Sequence, residues 1–516
     1  MKLATSETMR AIDAHCIDVV GIPGLKLMES AGAGTVRFIE QRLGPPAGKA
    51  ITVVCGKGNN GGDGFVIARE LRARGAVVET YVAGHRDDVL GDARASLERL
   101  GSGVVVELAD GRAVGSLAAA TMRSDLVVDA VFGTGFSGAP LGLSGTVIGQ
   151  MNACGRPVLA VDVPSGLNAT TGEAAGECVR ASWTCTMGLP KRGFYLSPGR
   201  ELVGEVHVVD IGIPAKAVEA AGVRDNVLTA RDAAALLPAR PHDANKRTFG
   251  TVVVVAGSVG YTGAAALTAL SALRAGAGLV VLGAPGSLND ALEAKLTEVI
   301  TRPLPETAGR ALSRDALPAV RALLETADAL AIGPGLSRDP ETQSLVQSVI
   351  EEVRVPCVVD ADGINALSIE RVKGRSGGAP IVLTPHPGEM ARLTGRSAAD
   401  VQAHRDEIAR DVAARSGATV VLKGAGTVTV DPGGELYLNP TGGSGLATAG
   451  TGDVLTGVLA ALLGQRVPRT TAAALGAFVH GRAGDIAAAG KGSVGMIAGD
   501  VVDALPSAFM ELERAR

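Results

Sequence analysis

Aromatic residues are scarce in this chain: Phe, Tyr and Trp make up 3% of its 516 residues, with a single Trp. Its cores must therefore be packed from Ala, Val and Leu. Long apolar runs are also missing. The longest, such as 454–464, are too short to span a bilayer, and the N-terminus MKLATSETMRAIDAH has no apolar leader core. No membrane partner is expected. Clustered positive charge is absent too: the net charge is −4, and no Lys/Arg run or basic stripe occurs, which argues against nucleic acid as a partner. The six cysteines (Cys16, Cys55, Cys154, Cys178, Cys185, Cys357) show no C-x-x-C or zinc spacing. They read as incidental thiols of a reduced cytoplasm. No GxxxxGK[ST] is present, which excludes a P-loop enzyme, and no internal repeat relates the two halves.

Glycine, by contrast, is abundant. Its 70 copies are about twice ordinary usage and follow no period. Many tight strand-to-helix turns would account for them. The length calls for more than one domain. Residues 1–45 carry apolar positions at helical spacing. Strands are predicted at 51–55, 77–82, 126–131, 157–162 and 205–209, with helices at 65–74 and 88–100. Alternation of apolar strands with helices implies a parallel sheet covered on both faces. The pattern lapses over 215–245, Ala-rich and charged with Pro238 and Pro241, where a linker is expected. A second α/β series follows, with strands at 251–256, 279–282, 329–332, 357–360, 381–384 and 419–423. Its helices are expected at 264–275 and from 454 to 489.

The most informative stretch is 439–462, NPTGGSGLATAGTGDVLTGVLAAL. A glycine-rich run ends in Gly450-Thr451-Gly452-Asp453, and an apolar helical pattern starts at once. Such an opening lets backbone N–H groups converge on an anion, and the helix dipole adds to the attraction. An Asp beside a bound phosphate is well set to take a proton from a hydroxyl. Phosphate chemistry on a small hydroxylated substrate is the expectation. Lys423 and the glycines after it suit a nucleotide phosphate. His386, between two prolines with Thr384 and Glu389 nearby, reads equally well as structural or functional.

In the first half, GKGNNGGDG (56–64) follows the first strand and contains G-x-G-x-x-G, alone a weak dinucleotide signal. Asp129 and Asp162 end two later strands, with Gly133-Thr134-Gly135 and Ser165 in the turns after them. Strand ends of a parallel sheet line one crevice, so Asn60, Asp129 and Ser165 could give oxygens to one hard cation.

GKGNNGGDGFVIAR, VVDAVFGTGFSG, AVDVPSGLNATTG and MGLPKRGFYLSPG together resemble the YjeF N-terminal family of NAD(P)H-hydrate epimerases, over about 1–215. The ordered set YTGAA, GPGL, DADGINAL, LTPHPGEMARL, VLKGAGT and GTGD resembles ADP/ATP-dependent NAD(P)H-hydrate dehydratases of the ribokinase-like superfamily, over about 225–510. The resemblance implies two doubly wound α/β domains joined over 216–240: a Rossmann-like three-layer domain and a ribokinase-like domain.

By the resemblance, Asn60, Asp129 and Ser165 would bind K⁺. Asn59, Asn60, Gly61, Gly62 and Asp63, then Gly133, Thr134, Gly135, Phe136, Ser137, Gly138 and Ala139, together with Asp162, would hold the hydrated dinucleotide. Asp162 would be the acid/base group, with Lys191 a weaker candidate. Lys423, Gly424, Ala425, Gly426, Thr427 and Gly452 would bind ADP or ATP with Mg²⁺, ADP being favoured. Ala264 or Ala265, Gly335, His386 and Asp453 would bind the hydrated substrate, with Asp453 the catalytic base. Relatives place a basic residue beside an adjacent His where this chain has Asn245-Lys246, so 242–250 carries no role. The expected partners are NADHX or NADPHX, an adenine nucleotide and further copies of the chain. Two alternatives compete: a vitamin-precursor or sugar kinase of the same superfamily, and a non-catalytic N-terminal binding module.

Overall fold

A computed structural model of the chain describes residues 1–109 and 111–516. It divides into two compact units, Lys2–Asp225 and, with Met1, Asn226–Arg516.

Among the described residues the sheet of the first unit has seven strands: β1 (Ala50–Cys55), β2 (Val77–Val82), β3 (Val105–Glu107), β4 (Leu126–Ala130), β5 (Val158–Val161), β6 (Trp183–Met187) and β7 (Glu205–Val209). They pair in parallel in the order β3-β2-β1-β4-β5-β6-β7. Along β1, Val53 and Cys55 enter one apolar core while Val54 enters another; along β4, Val128 and Val127 divide likewise. Both faces of the sheet are therefore buried, as near-continuous apolar strands require. Strand order reverses between β1 and β4, whose ends are in register (Cys55 with Ala130). A ligand crevice belongs at the carboxyl ends of such a pair. Helix α1 (Ser6–Ala14) and helix α2 (Asn59–Ala73) flank that end.

The second unit contains β8 (Asp225–Val227), β9 (Thr251–Val255), β10 (Leu279–Pro285), β11 (Ile300–Leu304), β12 (Ala329–Ile332), β13 (Cys357–Val359), β14 (Ile381–Leu383), β15 (Thr419–Leu422), β16 (Val428–Val430) and β17 (Leu436–Leu438). Their order in the sheet is β8-β17-β16-β15-β14-β13-β12-β9-β10-β11. The pairs from β11 to β15 are parallel; β15-β16-β17 is an antiparallel meander. Val252 and Val254 face one core, Val253 and Val255 the other. The order reverses between β9 and β12, again with aligned ends (Val255 with Ile332).

Five further helices matter here: α3 (Thr262–Arg274), α4 (Pro387–Thr394), α5 (Arg405–Ser416), α6 (Thr451–Gly464) and α7 (Arg469–Lys491). Helix α6 packs backbone-close on α3. A Cβ at Gly457 would lie 2.1 Å from Ser271 Oγ and 2.2 Å from Thr268 O.

The stretch 216–240, expected as linker, contains the boundary between the two units and is itself folded. That stretch holds most of a helix at Ala215–Ala220, then β8 and a helix at Ala230–Leu236, the last started by a Thr229–Asp232 capping box. Val227, Leu228 and Ala233 are buried in it. The helices closing the chain also run on past 489, through Ala498–Arg514. Among the described residues no helix is long and apolar enough to cross a membrane.

Candidate functional sites

In the first unit, the loop after β1 touches the loop after β4. A Cβ on Gly56 would sit 2.0 Å from the Val131 carbonyl oxygen, and one on Gly61 would sit 2.0 Å from that of Gly56. Only glycine permits this approach. It brings the three predicted cation-binding residues around Val131-Phe132. Asn60 Nδ2 donates to Phe132 O at 2.8 Å. Ser165 Oγ donates to Asp129 Oδ1 at 2.6 Å, and Ser165 N donates to Asp129 Oδ2 at 2.8 Å. Phe132 N donates to Ser165 Oγ at 2.8 Å. Burial raises the Asp129 carboxyl to about 6 against the pull of the Ser165 hydrogen bonds. Asn60 Oδ1 is buried without any partner. An orphaned carbonyl oxygen near a buried carboxylate suits a hard monovalent or divalent cation.

Beside this lies a cavity of about 640 Å³, lined by Asn59, Asn60, Asp63, Gly133–Phe136 and Asp162 among the predicted residues. Gly61 and Gly62 are buried but not on the wall, and Ser137, Gly138 and Ala139 lie off it, the first two exposed. Asp162 adopts φ 63°, a strained value for Asp. Its Oδ1 is 2.6 Å from Lys191 Nζ and accepts the Met187 N–H at 3.1 Å. Lys191 is fully buried, and Nζ also donates to Thr186 Oγ1, Met187 O and Leu189 O. All its donors are engaged, so it anchors Asp162. Asp13, which sequence reasoning passed over inside a helical stretch, also lines the cavity.

In the second unit, Gly257 N donates to Pro334 O at 2.9 Å and Ser258 Oγ to Gly335 O at 2.8 Å, tying the ends of β9 and β12 together. The two candidate alanines, Ala264 and Ala265, differ in where they point. Ala265 points into the core, whereas the Ala264 Cβ adjoins Gly335. Farther along, Asp360 closes β13, Lys423 follows β15, and Asp453 stands in the first turn of α6. Lys423 Nζ reaches Asp360 Oδ1 at 2.6 Å, and Thr456 Oγ1 donates to Asp360 Oδ2 at 2.7 Å. A Cβ on Gly452 would lie 3.3 Å from Lys423 Nζ.

Three carboxyls thus face one ammonium. Burial, then Asp360, push Asp453 up to about 7, with Lys423 opposing and Glu389 adding. Burial also raises Glu389. It opposes the charge of Lys423, but Asp360, Glu389 and Asp453 together hold that group above its ordinary value. The N-terminus of α6 starts from Gly450 at φ 93° and has no side-chain cap, leaving its first N–H groups open. Buried His480 places Nε2 2.8 Å from Thr451 O; burial lowers it to about 4, so the neutral ring donates there.

The remaining predicted residues are placed more plainly. His386 is the N-cap of α4: Nδ1 accepts from Gly388 N and Glu389 N, and Glu389 Oε2 accepts from His386 N. Gly424–Thr427 forms a loop pinned from below by Arg405. Its guanidinium donates to Leu422 O at 2.9 Å, Lys423 O at 3.3 Å and Gly426 O at 3.4 Å, while Nε is buried without a partner. Asp360, Thr456, His480 and Arg405 received no role from the sequence. For Asp360 the signal existed, as a carboxylate ending an apolar strand in DADGIN.

Comparison with known proteins gives matches to both halves. The model of the NAD(P)H-hydrate dehydratase family matches residues 252–507, and that of the YjeF-related protein N-terminus matches 24–193. A bifunctional NAD(P)H-hydrate repair enzyme of Moorella thermoacetica is 47% identical over 99% of this chain and 97% of its own length. Its counterpart in Escherichia coli is 35% identical, over 97% of this chain and 92% of its own length. A crystal structure of an ADP/ATP-dependent NAD(P)H-hydrate dehydratase from Bacillus subtilis, co-crystallised with ATP/Mg²⁺, is similar over 56% of this chain and 99% of its own. That match has 32% identity and a TM-score of 0.50.

Proposed function

The chain belongs to the bifunctional NAD(P)H-hydrate repair enzymes, and from that membership we propose how its two sites divide the work. The first unit interconverts the epimers of NADHX and NADPHX, and the second dehydrates one epimer at the expense of an adenine nucleotide, ADP being favoured. Hydroxide is a poor leaving group. Phosphorylating the substrate hydroxyl turns it into a good one, which gives a kinase-like fold a use in dehydration.

The observation that carries this reading is Asp453, a half-buried carboxyl in the first turn of an uncapped helix, facing Lys423 and Asp360. Asp453 takes the hydroxyl proton, and the freed oxygen attacks the terminal phosphoryl group. The open N–H groups at Gly450–Gly452 receive the charge that develops on it. Loss of phosphate with a ring proton restores the double bond, leaving NAD(P)H, phosphate and the shortened nucleotide. Lys423 and the Gly424–Thr427 loop hold the nucleotide, while Ala264, Gly335 and His386 border the hydrated ring.

Among the described residues no three His, Cys, Asp or Glu side chains form a closed metal cage. The excess of carboxylate over ammonium around Asp360 and Asp453 nevertheless fits a cation shared with phosphate. Mg²⁺ bound there, through Asp360 or Asp453, would neutralise phosphate charge. In the first unit Asn60, Asp129 and Ser165 would hold K⁺, which would fix the loop bordering the cavity. Asp162, kept in place by Lys191, is the acid/base group there.

The test uses full-length protein, Mg²⁺, ADP and a mixture of both NADHX epimers, followed by near-ultraviolet absorbance of NADH. Complete recovery with formation of AMP and phosphate supports both activities. Recovery of one epimer's share alone removes the epimerase, and none with ADP or ATP removes the dehydratase.

A further inference from the structure

We propose that Asp13 is a second catalytic acid/base group of the N-terminal cavity, working with Asp162; the proposal rests on the epimerase reading above. Asp13 lies near the end of α1, Asp63 in α2 and Asp162 in the loop after β5, so three separate elements bring carboxyls to one cavity wall. Their surroundings differ. Asp162 is bound to Lys191 and to the Met187 N–H. Asp13 has no hydrogen-bond or ion-pair partner among the described residues. The same wall carries the unpartnered, nine-tenths-buried Asn60 Oδ1, so a polar ligand or the cation that accompanies it belongs at this cavity.

The proton count follows from these contacts. Among the described residues Lys191 is the cation whose charge reaches Asp13 and Asp63, and it is committed to Asp162. The other carboxyls have no charge to balance them and hold protons more tightly. Burial raises Asp13 to about 6, with Lys191 opposing and Asp162 adding. Burial, then Asp162 and Asp13, raise the more deeply enclosed Asp63 further. Cys16, one turn on, is the other titratable group that Asp13 influences. Arg10, Lys57 and Asp92 complete the charged groups on the wall. One carboxylate and one protonated acid whose environments separate them is the arrangement acid/base catalysis needs.

The chemistry also needs two groups. Water adds to the enamine-type double bond of a dihydronicotinamide with its oxygen on the carbon next to nitrogen, giving a hemiaminal. Protonated Asp13 gives its proton to that hydroxyl, the C–O bond breaks, and water departs. The nitrogen lone pair becomes the second bond of a C=N cation. A water molecule adds to the other face of the ring, and its proton passes to the Asp162 carboxylate. The C=N pair returns to nitrogen, the epimer is inverted, and nothing is oxidised or reduced. One proton has moved from Asp13 to Asp162; exchange with solvent or the reverse reaction resets both.

The test uses the full chain with nucleotide, Mg²⁺ and mixed NADHX epimers. A fast phase reports dehydration by the other unit and controls for folding, while a slow phase reports epimerisation. In the wild type, the slow-phase rate should fall as pH rises above about 6, because Asp13 loses the proton it must donate. Asp13→Asn should slow that phase at least a hundredfold or so and abolish this alkaline limb. Asp13→Glu should restore both in part. An Asp13→Asn chain with an unchanged slow phase overturns the proposal. So does one that is slowed but keeps the alkaline limb, which would make Asp13 a packing residue. A wild-type chain with no slow phase above the uncatalysed rate overturns the epimerase reading itself, and this proposal with it.

Discussion

Replacing Asp453 by Asn separates chemistry from binding in the dehydratase site. The amide keeps the size of the side chain and removes its ability to accept a proton. General-base removal typically costs about 10² to 10⁴ in rate, so kcat should fall by that range while the KM for nucleotide changes little. Asp453 titrates near 7 in the free protein. About a tenth of it is ionised at pH 6 and about nine-tenths at pH 8. Wild-type kcat/KM should therefore rise roughly tenfold over that interval, and the variant's residual activity should be flat. Stability gives an independent check. A carboxyl whose folded value lies above its unfolded one holds its proton in the folded state alone between about 4 and 7. It therefore weakens the fold as pH rises through that window. Asn has no proton to lose, so the variant should melt no lower than wild type at pH 8, and by this term higher. The assay is NADH recovery from pre-equilibrated epimers across pH 6 to 8, with calorimetry at both ends. Undiminished turnover, or a lower Tm at pH 8, would refute the reasoning.

Other changes act through different parts of the molecule. Lys191→Met leaves the Asp162 carboxylate buried without its ammonium, and breaking such a pair costs about 3–5 kcal/mol; calorimetry should show the loss, and the slow epimerisation phase should vanish. Gly61→Ala forces a methyl onto the Gly56 carbonyl, at a cost of about 1–3 kcal/mol, and epimerase activity should become harder to restore with added K⁺. Arg405→Met frees the Gly424–Thr427 loop, so the KM for nucleotide should rise more than kcat falls, and nucleotide should raise Tm less than in wild type. His480 is neutral in the fold and titrates near 4 there, below its ordinary 6.5. Stability should drop as pH falls from about 6.5 to 4, because the unfolded chain takes up the proton first, and His480→Gln should flatten that acid limb.

Strands buried on both faces were legible because their apolar runs end in glycine and polar clusters. Residues 329–332, buried throughout, are a strand in the structure as in the sequence, and the less buried 77–82 and 205–209 coincide as well. The short strands at Val105–Glu107 and Val428–Val430 escaped notice: three residues carry no period, and pairing alone defines them. The secondary structure within 216–240 was not legible because Ala and charge dominate its composition, while a few buried residues such as Val227 and Ala233 decide its structure. Site residues in glycine loops could be read from local motifs. Asp13 and Arg405 could not, since each lies in an ordinary helical pattern and gains its setting from segments far away in the chain.

The seating of α6 on α3 through Gly457 has a consequence for how this enzyme could diversify. With no side chain between the two backbones, the helix end proposed to receive phosphate has no slack to be moved by repacking. The stretch 424–427 is a surface turn held mainly by contacts to backbone oxygens; Gly424 and Gly426 sit at positive φ, a Cβ on Gly424 would lie 2.9 Å from the supporting Arg405 guanidinium, and Thr427 Oγ1 donates to Gly424 O, which leaves exposed Ala425 as the side chain most open to change. Any drift between two- and three-phosphate donors would thus be written into that turn, with the glycine-seated helix serving as the fixed datum against which each new preference is set.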